Sequence, residues 1–507
     1  MTARALRYMG RAAAASIVGA AALAAPAVLH AQGWRLRFDA QAQMAAFRGV
    51  VLDSVPGTAV VPGPTGGPVS PDGIIARCPA TSPYCYIFRP GERRRGGPAV
   101  TTVDLSLWGL GVPGLRAQLR ARAGVDLGSA DAWPGTDPAL QLLEGYAEYT
   151  NEMITARAGR QLLSTRLGWQ GFDGARIVGR AGRIGLEGEI YAGLGLAQAT
   201  ALPVSSPALD PLDEFRPQSR QLLVGGAVGW RGGGADLRLD YQREVDRDTR
   251  HFWSERAALS GAWRFAPRWS LAAGTEYDFS NSWFGTSELG LGYAAGSFGL
   301  NAGVRQYRPF FPLWTIWGAF SPVPYRAAHG TLRVSPLRRV QVTASTEYFK
   351  FLEAETETPL VRVDQDGWRT GVSAAFTPSD RWRLSAGYRL EYGPGASADG
   401  FDASATWRGG PLTLTAYGAS LTRPLEFRLS QSEVVVIGGD AAWQARSRLR
   451  IAVGAAHYAE TRDRPDAAAF DWNQLRLHAR VTLLLSSAPD AMALPPAIRR
   501  TPSAGDR

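Results

Sequence analysis

Long apolar runs and helical repeats of apolar residues are both missing from the chain after its first thirty residues. The first absence excludes a bundle of membrane-spanning helices, because each such helix needs about 20 consecutive apolar residues. The second leaves any β-sheet without a helical layer to cover its apolar face. The mean hydropathy of -0.14 is compatible with membrane-spanning strands, since alternating side chains hide an apolar face from the average.

Histidine is scarce, and this absence argues against an enzyme. Beyond the N-terminal segment the histidines lie on separate segments, at His251, His329, His457 and His478. No G-x-S-x-G motif or comparable nucleophile motif accompanies any of them. His478 stands between Arg476 and Arg480, which is typical of a polar wall. The sequence therefore predicts no catalytic residue.

Cysteine is nearly absent. Cys78 and Cys85 bracket the segment CPATSPYC, which has no histidine nearby. A metal site is not predicted from two sulfurs alone, and we expect no cofactor. In an exported protein this pair predicts a local disulfide within a loop rich in proline and glycine.

Lysine is almost absent as well, since Lys350 is the only one in the chain. The formal net charge is +10, and arginine supplies nearly all of the positive charge. A GC-rich genome explains a preference for arginine, so this preference alone indicates no function. The basic residues are spread over many segments instead of one helix or stripe, and nucleic-acid binding is therefore not predicted.

What the chain has in abundance is strict alternation. Residues 381–392 read RWRLSAGYRLEY, with an apolar residue at every second position from Trp382 to Tyr392. A strand with this pattern has one apolar face and one polar face. The pattern recurs along most of the chain. Many such strands without a covering layer predict a closed antiparallel β-barrel with lipid outside and water inside.

The N-terminus has the features of a secretory signal peptide. A basic start precedes an apolar stretch from Ala12 to Ala25, and cleavage is expected after Ala27 or Ala31. We expect no plug domain, because the first strand begins close to this position. The predicted divisions are a signal peptide at 1–31, a barrel at 32–486 with a Cys-containing outer loop at 53–98, and a disordered tail at 487–507.

Turns and aromatic residues give the strand number and the orientation. Short turns rich in Gly, Pro, Asp and Ser alternate with longer connections, which predicts about 22 strands, or 18 if weak segments merge. Short turns of such barrels face the periplasm. The aromatic residues near these turns predict an interfacial girdle; they are Trp108, Trp230, Phe265, Trp269, Phe298, Phe376, Trp382, Trp407 and Trp443.

Alternation also predicts which charged residues face the lumen. In the segment after Leu115 the lumen-facing arginines are Arg116, Arg120 and Arg122. The other arginines predicted to contact a solute are Arg383, Arg389, Arg476 and Arg480. Arginine offers a fork of donors suited to carboxylate or phosphate, so a chain of arginines predicts an anion path. In the alternative, nearby acids bind these arginines as salt bridges of the wall.

One segment resembles a known family. Residues 156–177 read ARAGRQLLSTRLGWQGFDGARI, which is similar to the GRQ…RL…FDG(A/V)R signature of the alginate-export family of outer-membrane porins. The matching positions are Gly159, Arg160, Gln161, Arg166, Leu167, Phe172, Asp173, Gly174, Ala175 and Arg176. The resemblance implies a monomeric barrel whose arginine-rich lumen passes a polyanionic sugar polymer. It also implies an outer loop between GRQ and FDG, lumen contacts at Arg160 and Arg176, and Asp173 as a partner or constriction acid.

The segment RPFFPLWTIWGAFSPVPY, from Arg308 to Tyr325, is too apolar for a solvated loop. It predicts a constriction loop that folds into the barrel mouth and stacks on sugar rings. Its candidate residues are Phe310, Phe311, Trp314, Trp317 and Phe320. Packing on other loops at the rim and contact with another protein are the two alternatives.

Together these features predict a passive channel of the bacterial outer membrane for anionic or saccharide solutes, including polyuronate-like polymers. The expected partners are outer-membrane lipid, the solute and the barrel-assembly machinery, without nucleic acid, and the expected state is a monomer. The alternative function is a non-conducting surface barrel that acts as an adhesin or as an assembly or binding protein.

Overall fold

The chain folds into one closed antiparallel β-sheet. The computed structural model describes residues 32–47, 50–63, 67–128, 140–196, 221–245, 252–308, 310, 324–352, 366–393, 398–422, 431–463 and 471–487. Within these residues, 22 long strands follow one another in chain order, and the first pairs with the last, with Leu36 opposite Leu485. A sheet closed in this way has no unpaired edge in lipid. The predicted single antiparallel barrel, with the higher of the two expected strand numbers, is confirmed.

We number the long strands in chain order. The first half consists of β1 (Gly33–Phe47), β2 (Pro98–Trp108), β3 (Leu115–Asp126), β4 (Leu140–Thr150), β5 (Ile154–Thr165), β6 (Gly168–Ala181), β7 (Leu186–Gly195), β8 (Leu222–Gly232), β9 (Ala235–Val245), β10 (Phe252–Ala266) and β11 (Trp269–Asp278). The second half consists of β12 (Ser287–Ala295), β13 (Phe298–Tyr307), β14 (Tyr325–Leu337), β15 (Val340–Phe351), β16 (Asp366–Ser379), β17 (Trp382–Tyr392), β18 (Ala398–Gly409), β19 (Leu412–Thr422), β20 (Gln431–Arg446), β21 (Leu449–Asp463) and β22 (Trp472–Ser486). The short segments Arg94–Gly96 and Trp283–Phe284 pair with the same sheet.

Short turns lie at one end of the barrel and most long connections at the other. Short turns follow β2, β8, β10, β12, β14, β16, β18 and β20, and β4 and β6 also end in short turns. These turns mark the periplasmic end. One connection departs from the pattern, because Arg166 and Leu167 alone join β5 to β6 at the outer end.

The strands separate an apolar outer surface from a polar interior. In β9, Leu237 and Leu239 are 46% and 50% exposed, whereas Asp240 and Gln242 are buried. The aromatic residues near the periplasmic turns that are exposed on the outer surface are Trp230, Phe265, Trp269, Phe298, Phe376, Trp382 and Trp443. Trp108 departs from this prediction, because it stands opposite Arg116 on the inner face.

The connection between β1 and β2 contains a small folded unit instead of an irregular loop. Val50–Pro56 and Ala76–Arg77 flank Tyr84–Pro90 in a three-stranded sheet. The predicted disulfide joins Cys78 to Cys85 in this unit. Its apolar core consists of Ile74, Ala76, Cys85 and Ile87.

The architecture places the protein in the bacterial outer membrane, where closed barrels with an apolar outer band and aromatic girdles occur. The barrel wall runs from Gly33 to Ser486. The predicted signal peptide at 1–31 lies outside the described residues, as does the predicted tail apart from Ser487.

Candidate functional site: the lumen and its inward hairpin

The ends of β5 and β6 form a hairpin that extends beyond the region where β4 and β7 pair with these strands. β4 pairs with β5 only as far as Gly145 opposite Arg160. β7 pairs with β6 only from Gly195 opposite Phe172. Residues 161–171 therefore pair in register only within the hairpin itself. We call residues 161–171 the inward hairpin.

A line of glycines crosses the base of the inward hairpin. Gly159, Gly174 and Gly193 stand opposite one another on β5, β6 and β7. A Cβ atom on Gly174 would lie 2.1 Å from the carbonyl oxygen of Ala192, and one on Gly159 would lie 2.3 Å from that of Gly145. Gly159 also has a φ of 125°, which residues with a side chain rarely adopt. The sheet folds sharply along this line because no side chain stands in the way.

The tip of the inward hairpin contacts the wall formed by β9 to β12. Arg166 Nη1 donates a hydrogen bond to Glu288 Oε1 of β12 at 2.7 Å, and its Nε lies 3.9 Å from Glu276 of β11. The carbonyl oxygen of Leu167 accepts a hydrogen bond from Arg256 Nη1 of β10 at 3.1 Å. These wall side chains belong to the polar inner face. The tip therefore lies inside the lumen.

Apolar packing holds the base of the inward hairpin. Leu163 packs with Phe172, Tyr191 and Leu223 of β6, β7 and β8, and all four side chains are buried. The rings of Phe172 and Tyr191 lie 5.8 Å apart, centre to centre. Burial of an apolar side chain of this size contributes roughly 1.5–3 kcal/mol. The hairpin is therefore held by packing at its base and by polar contacts at its tip.

Arg256 joins the wall, the inward hairpin and the apolar outer loop. Its guanidinium is almost fully buried, and besides the bond to Leu167 it lies 3.9 Å from Glu244. The ring centre of Phe310 is 3.9 Å from its Cζ, a cation–π contact. Phe310 therefore lies on the side of the lumen that the inward hairpin narrows. The other candidate constriction residues, Phe311, Trp314, Trp317 and Phe320, lie outside the described residues.

Ion pairs line the inner wall on the hairpin side. Three acids each bridge two arginines on nearby strands, in the sets Arg116–Glu148–Arg157, Arg176–Glu189–Arg238 and Arg305–Glu347–Arg369. The acids of these sets are almost fully buried. Arginines held in this way fix the wall and have fewer donors left for a solute. Arg116 thus forms a salt bridge of the wall, the alternative that the sequence left open. Arg176, which the resemblance implied as a lumen contact, is bound to Glu189 in the same way.

A basic cavity lies on the opposite side of the barrel from strands β9 to β12. Its volume is about 580 Å³, and it is lined by residues of β1 to β3 and β19 to β22. Its charged or titratable lining residues are Arg122, Arg450, Arg480, Asp440 and His478. Nε2 of His478 lies 2.8 Å from Oδ1 of Asp440, and Arg480 donates to Asp39 at 2.8 Å. With three arginines against one acid in its lining, the cavity is positively charged.

The remaining predicted lumen arginines also lie on the inner face but differ in their contacts. Within the described part of the chain, Arg120 and Arg383 have no ion pair. The guanidinium of Arg476 lies 4.0 Å from the ring centre of Tyr458. Arg389 is exposed and reaches Asp402 only at 4.0 Å. These side chains are therefore open to a solute.

Arg160 and Asp173 form a pair away from the lumen-facing row. Two hydrogen bonds of 2.7 and 2.9 Å join them. They stand opposite each other three positions along the strands from the pair Arg157 and Arg176. Because side chains alternate between faces, an odd shift puts them on the other face of the sheet. The structure also departs from the outer loop that the resemblance implied, since β5 continues past the GRQ residues to Thr165.

Sequence reasoning missed the inward hairpin. Two signals in the sequence could have revealed the hairpin. The first is the pair Gly159 and Gly174, placed symmetrically around a very short connection. The second is the presence of apolar residues at positions that alternation assigns to the lumen. Leu163 and Leu167 occupy such positions and are buried. An apolar side chain on the water-filled side of a strand needs a protein surface to cover it, and the hairpin fold supplies that cover.

Among the residues that the structure describes, no three His, Cys, Asp or Glu side chains are grouped as metal ligands.

In the described part of the chain, no helix has the length and the apolar character needed to cross a membrane.

Comparisons with known proteins give structural likenesses alone. No family model matches the chain, and no curated protein matches it in sequence. The copper transporter OprC is 12% identical, with 89% of this chain and 80% of that chain covered and a TM-score of 0.44. OccAB2 of Acinetobacter baumannii is 9% identical, with 90% and 98% covered and a TM-score of 0.40. OprD of Pseudomonas aeruginosa is 8% identical, with 90% and 95% covered and a TM-score of 0.39. Likenesses this weak carry no conclusion about function.

Proposed function

We propose that this protein is a passive channel of the outer membrane for anionic or saccharide solutes, and that the solute path follows the basic cavity. The observation that carries this proposal is the charge asymmetry of the lumen. On one side the inward hairpin and the wall bind each other through Arg166, Arg256 and their acids. On the other side Arg450 has no ion pair within the described residues. A solute anion therefore meets its available donors on the side away from the hairpin.

Arginine chemistry supports an anion as the solute. A guanidinium keeps its charge at any physiological pH and presents donors in a fork that fits a carboxylate or phosphate. Arg383, Arg389 and Arg476 lie on the same inner face outside the cavity and offer an anion further donors. A polyuronate carries one carboxylate per sugar ring and would use several of these sites at once. The short GRQ…FDGAR resemblance also supports such a polymer as the solute.

A non-conducting surface barrel is the second candidate function. The observation that favours it is the folded unit between β1 and β2, which has its own disulfide and apolar core. Such a rigid outer structure is suited to holding another molecule at the cell surface. This candidate predicts folded protein that passes no ions.

The test is single-channel recording of the refolded protein in a planar bilayer. Under a KCl gradient we expect discrete conductance steps. The sign of the reversal potential should show selectivity for chloride over potassium. Polygalacturonate added on one side is expected to interrupt the current, whereas a neutral dextran of similar length is not. Block by both polymers alike would remove the support for an acidic sugar but leave the channel. Silence from folded protein would favour the surface barrel.

A further inference from the structure

A polar row crosses the lipid-facing surface at the outer ends of β13 to β16. Its members, which stand opposite one another from strand to strand, are Gln306, Arg326, Lys350 and Asp366. Phe349, next to Lys350, packs its ring 4.3 Å from the lumenal guanidinium of Arg369. Since neighbouring residues in a strand point to opposite faces, Lys350 and the rest of the row point outward.

An apolar row lies directly beneath the polar row. Its members are Val304, Ala328, Tyr348 and Trp368. The rings of Tyr348 and Trp368 lie 5.0 Å apart, centre to centre. Aromatic residues of membrane proteins gather at the level where acyl chains meet headgroups. The polar row therefore lies at headgroup level in the outer leaflet, and the apolar row lies at the start of the acyl chains.

A groove descends from the polar row along the outside of the barrel. Its volume is about 970 Å³, and it extends over strands β9 to β15. Its lining is apolar and includes the exposed side chains Leu237, Leu259, Leu289 and Val304. Arg326 and Lys350 also line it, at its outer end. An apolar groove that ends in two cations is complementary in shape and charge to a lipid with a phosphorylated head group.

The two cations are not neutralised within the described residues. Arg326 donates a 3.4 Å hydrogen bond to the neutral side chain of Gln306, and Lys350 has no ion pair. The nearby acid, Asp366, accepts a hydrogen bond from the hydroxyl of Tyr348 at 2.9 Å. The row therefore keeps a net positive charge. The flexible stem of Lys350 lets its ammonium follow a phosphate along the surface.

We propose that this groove is a binding site for a phosphorylated, multiply acylated lipid of the outer leaflet. An acyl chain occupies the groove, and a phosphate lies between Arg326 and Lys350. Free phosphate would use only the cations and leave the apolar lining unused. An unphosphorylated lipid would use only the lining. The site lies on the lipid face and is independent of the lumen and of solute passage.

The single lysine makes a direct test possible. The protein is reconstituted in phosphatidylcholine vesicles with lipid A, with dephosphorylated lipid A, or with inorganic phosphate, and acetylation of Lys350 is followed by peptide mass spectrometry. A bound phosphate holds the ammonium protonated and shields it. We expect lipid A to slow acetylation roughly fivefold, the factor given by about 1 kcal/mol per basic residue at a charged surface. Equal rates with both lipids, or equal protection by inorganic phosphate, would overturn the proposal.

Variants separate this site from general surface charge. The affinity for lipid A is measured by native mass spectrometry for R326M and K350M, with R243M as the matched control. Arg243 also points outward at the outer end of its strand, β9, but does not line the groove. We expect R326M and K350M each to weaken binding roughly fivefold and R243M to leave it unchanged. Equal weakening by all three variants, or by none, would contradict a defined site.

Discussion

Arg166, in the connection between β5 and β6, and Glu288, on β12, form a 2.7 Å ion pair inside the barrel. They are separated by 122 positions, and β12 is a sheet neighbour of neither β5 nor β6. A barrel strand ordinarily contacts only the strands beside it. This pair instead ties the tip of the inward hairpin to a distant part of the wall. In the proposed channel, the solute path therefore lies on the other side of the hairpin, where the basic cavity is.

Loss of this pair is expected to loosen the tip. In R166M the contact with Glu288 disappears while the packing of Leu163 at the base remains. A partly exposed ion pair contributes about 1 kcal/mol or less, so the undocked population is expected to rise up to about fivefold. Single-channel recordings would show this as more frequent excursions to a higher conductance.

The matched control for R166M is R180Q. Arg180 forms a 3.2 Å pair with Glu187 at the periplasmic end of β6 and β7, away from the inward hairpin. R180Q removes an ion pair from β6, the strand that follows Arg166 in the chain, without touching the tip. If R180Q changed the excursion frequency as much as R166M, the effect would come from general wall stability and not from undocking of the hairpin tip.

The glycine line provides a second prediction, on stability. In G174A the new Cβ would lie 2.1 Å from the backbone oxygen of Ala192, so β6 and β7 must shift. We expect the free energy of unfolding to fall by roughly 1–3 kcal/mol, as for other overpacked sites. The midpoint of urea unfolding in detergent measures this. The control is G179A on the same strand, where a Cβ meets no atom within 4 Å and a change within about 0.5 kcal/mol is expected.

The barrel was predictable and the inward hairpin was not, for a physical reason. Each strand shows its two faces locally, as β17 does from Trp382 to Tyr392, and closure follows because lipid tolerates no open edge. Residues 161–171 alternate in the same way whether they continue the wall or fold inside. Their position depends on contacts with Arg256 and Glu288, which alternation cannot reveal.

The Cys78–Cys85 bond was predictable from local spacing, whereas the sheet around it depends on pairing with the distant segment Val50–Pro56.

Charge in the basic cavity is expected to set ion selectivity. R450Q removes a cation that has no ion pair within the described residues, and D440N removes the acid that lines the same cavity. A unit charge a few ångströms from the path changes ion partition by about 1 kcal/mol in water, or about fivefold. The reversal potential under a KCl gradient should therefore move toward zero in R450Q and away from zero in D440N. R243Q, on the lipid face, serves as the control; a shift there equal to that in R450Q would show that selectivity does not arise in the cavity.

The disulfide is expected to stabilise the outer unit without affecting the barrel. Replacing both cysteines in C78S/C85S opens a short loop, and the chain-entropy cost is roughly 2–3 kcal/mol. Limited proteolysis should cut residues 67–90 faster in the variant. The heat-modified mobility of the barrel on a gel should stay as in the wild type, since the unit packs its own core. A barrel that no longer refolds would show instead that the outer unit is needed for closure.

The outer unit is also expected to loosen in acid through Asp72. This carboxylate binds Arg89, and that hydrogen bond holds the pKa of Asp72 below its usual value. A lowered aspartate pKa means that the contact stabilises the folded unit above the ordinary titration range of aspartate. The contribution is lost as the pH falls through the lowered pKa. Pepsin cleavage of residues 67–90 is measured at successive acid pH values. At the upper end of this pH range, cleavage should be slower in the wild type than in D72N. The two rates should converge at lower pH, as Asp72 is protonated. A constant ratio of the two rates across this range would contradict the role of the pair, because D72N is uncharged at every pH.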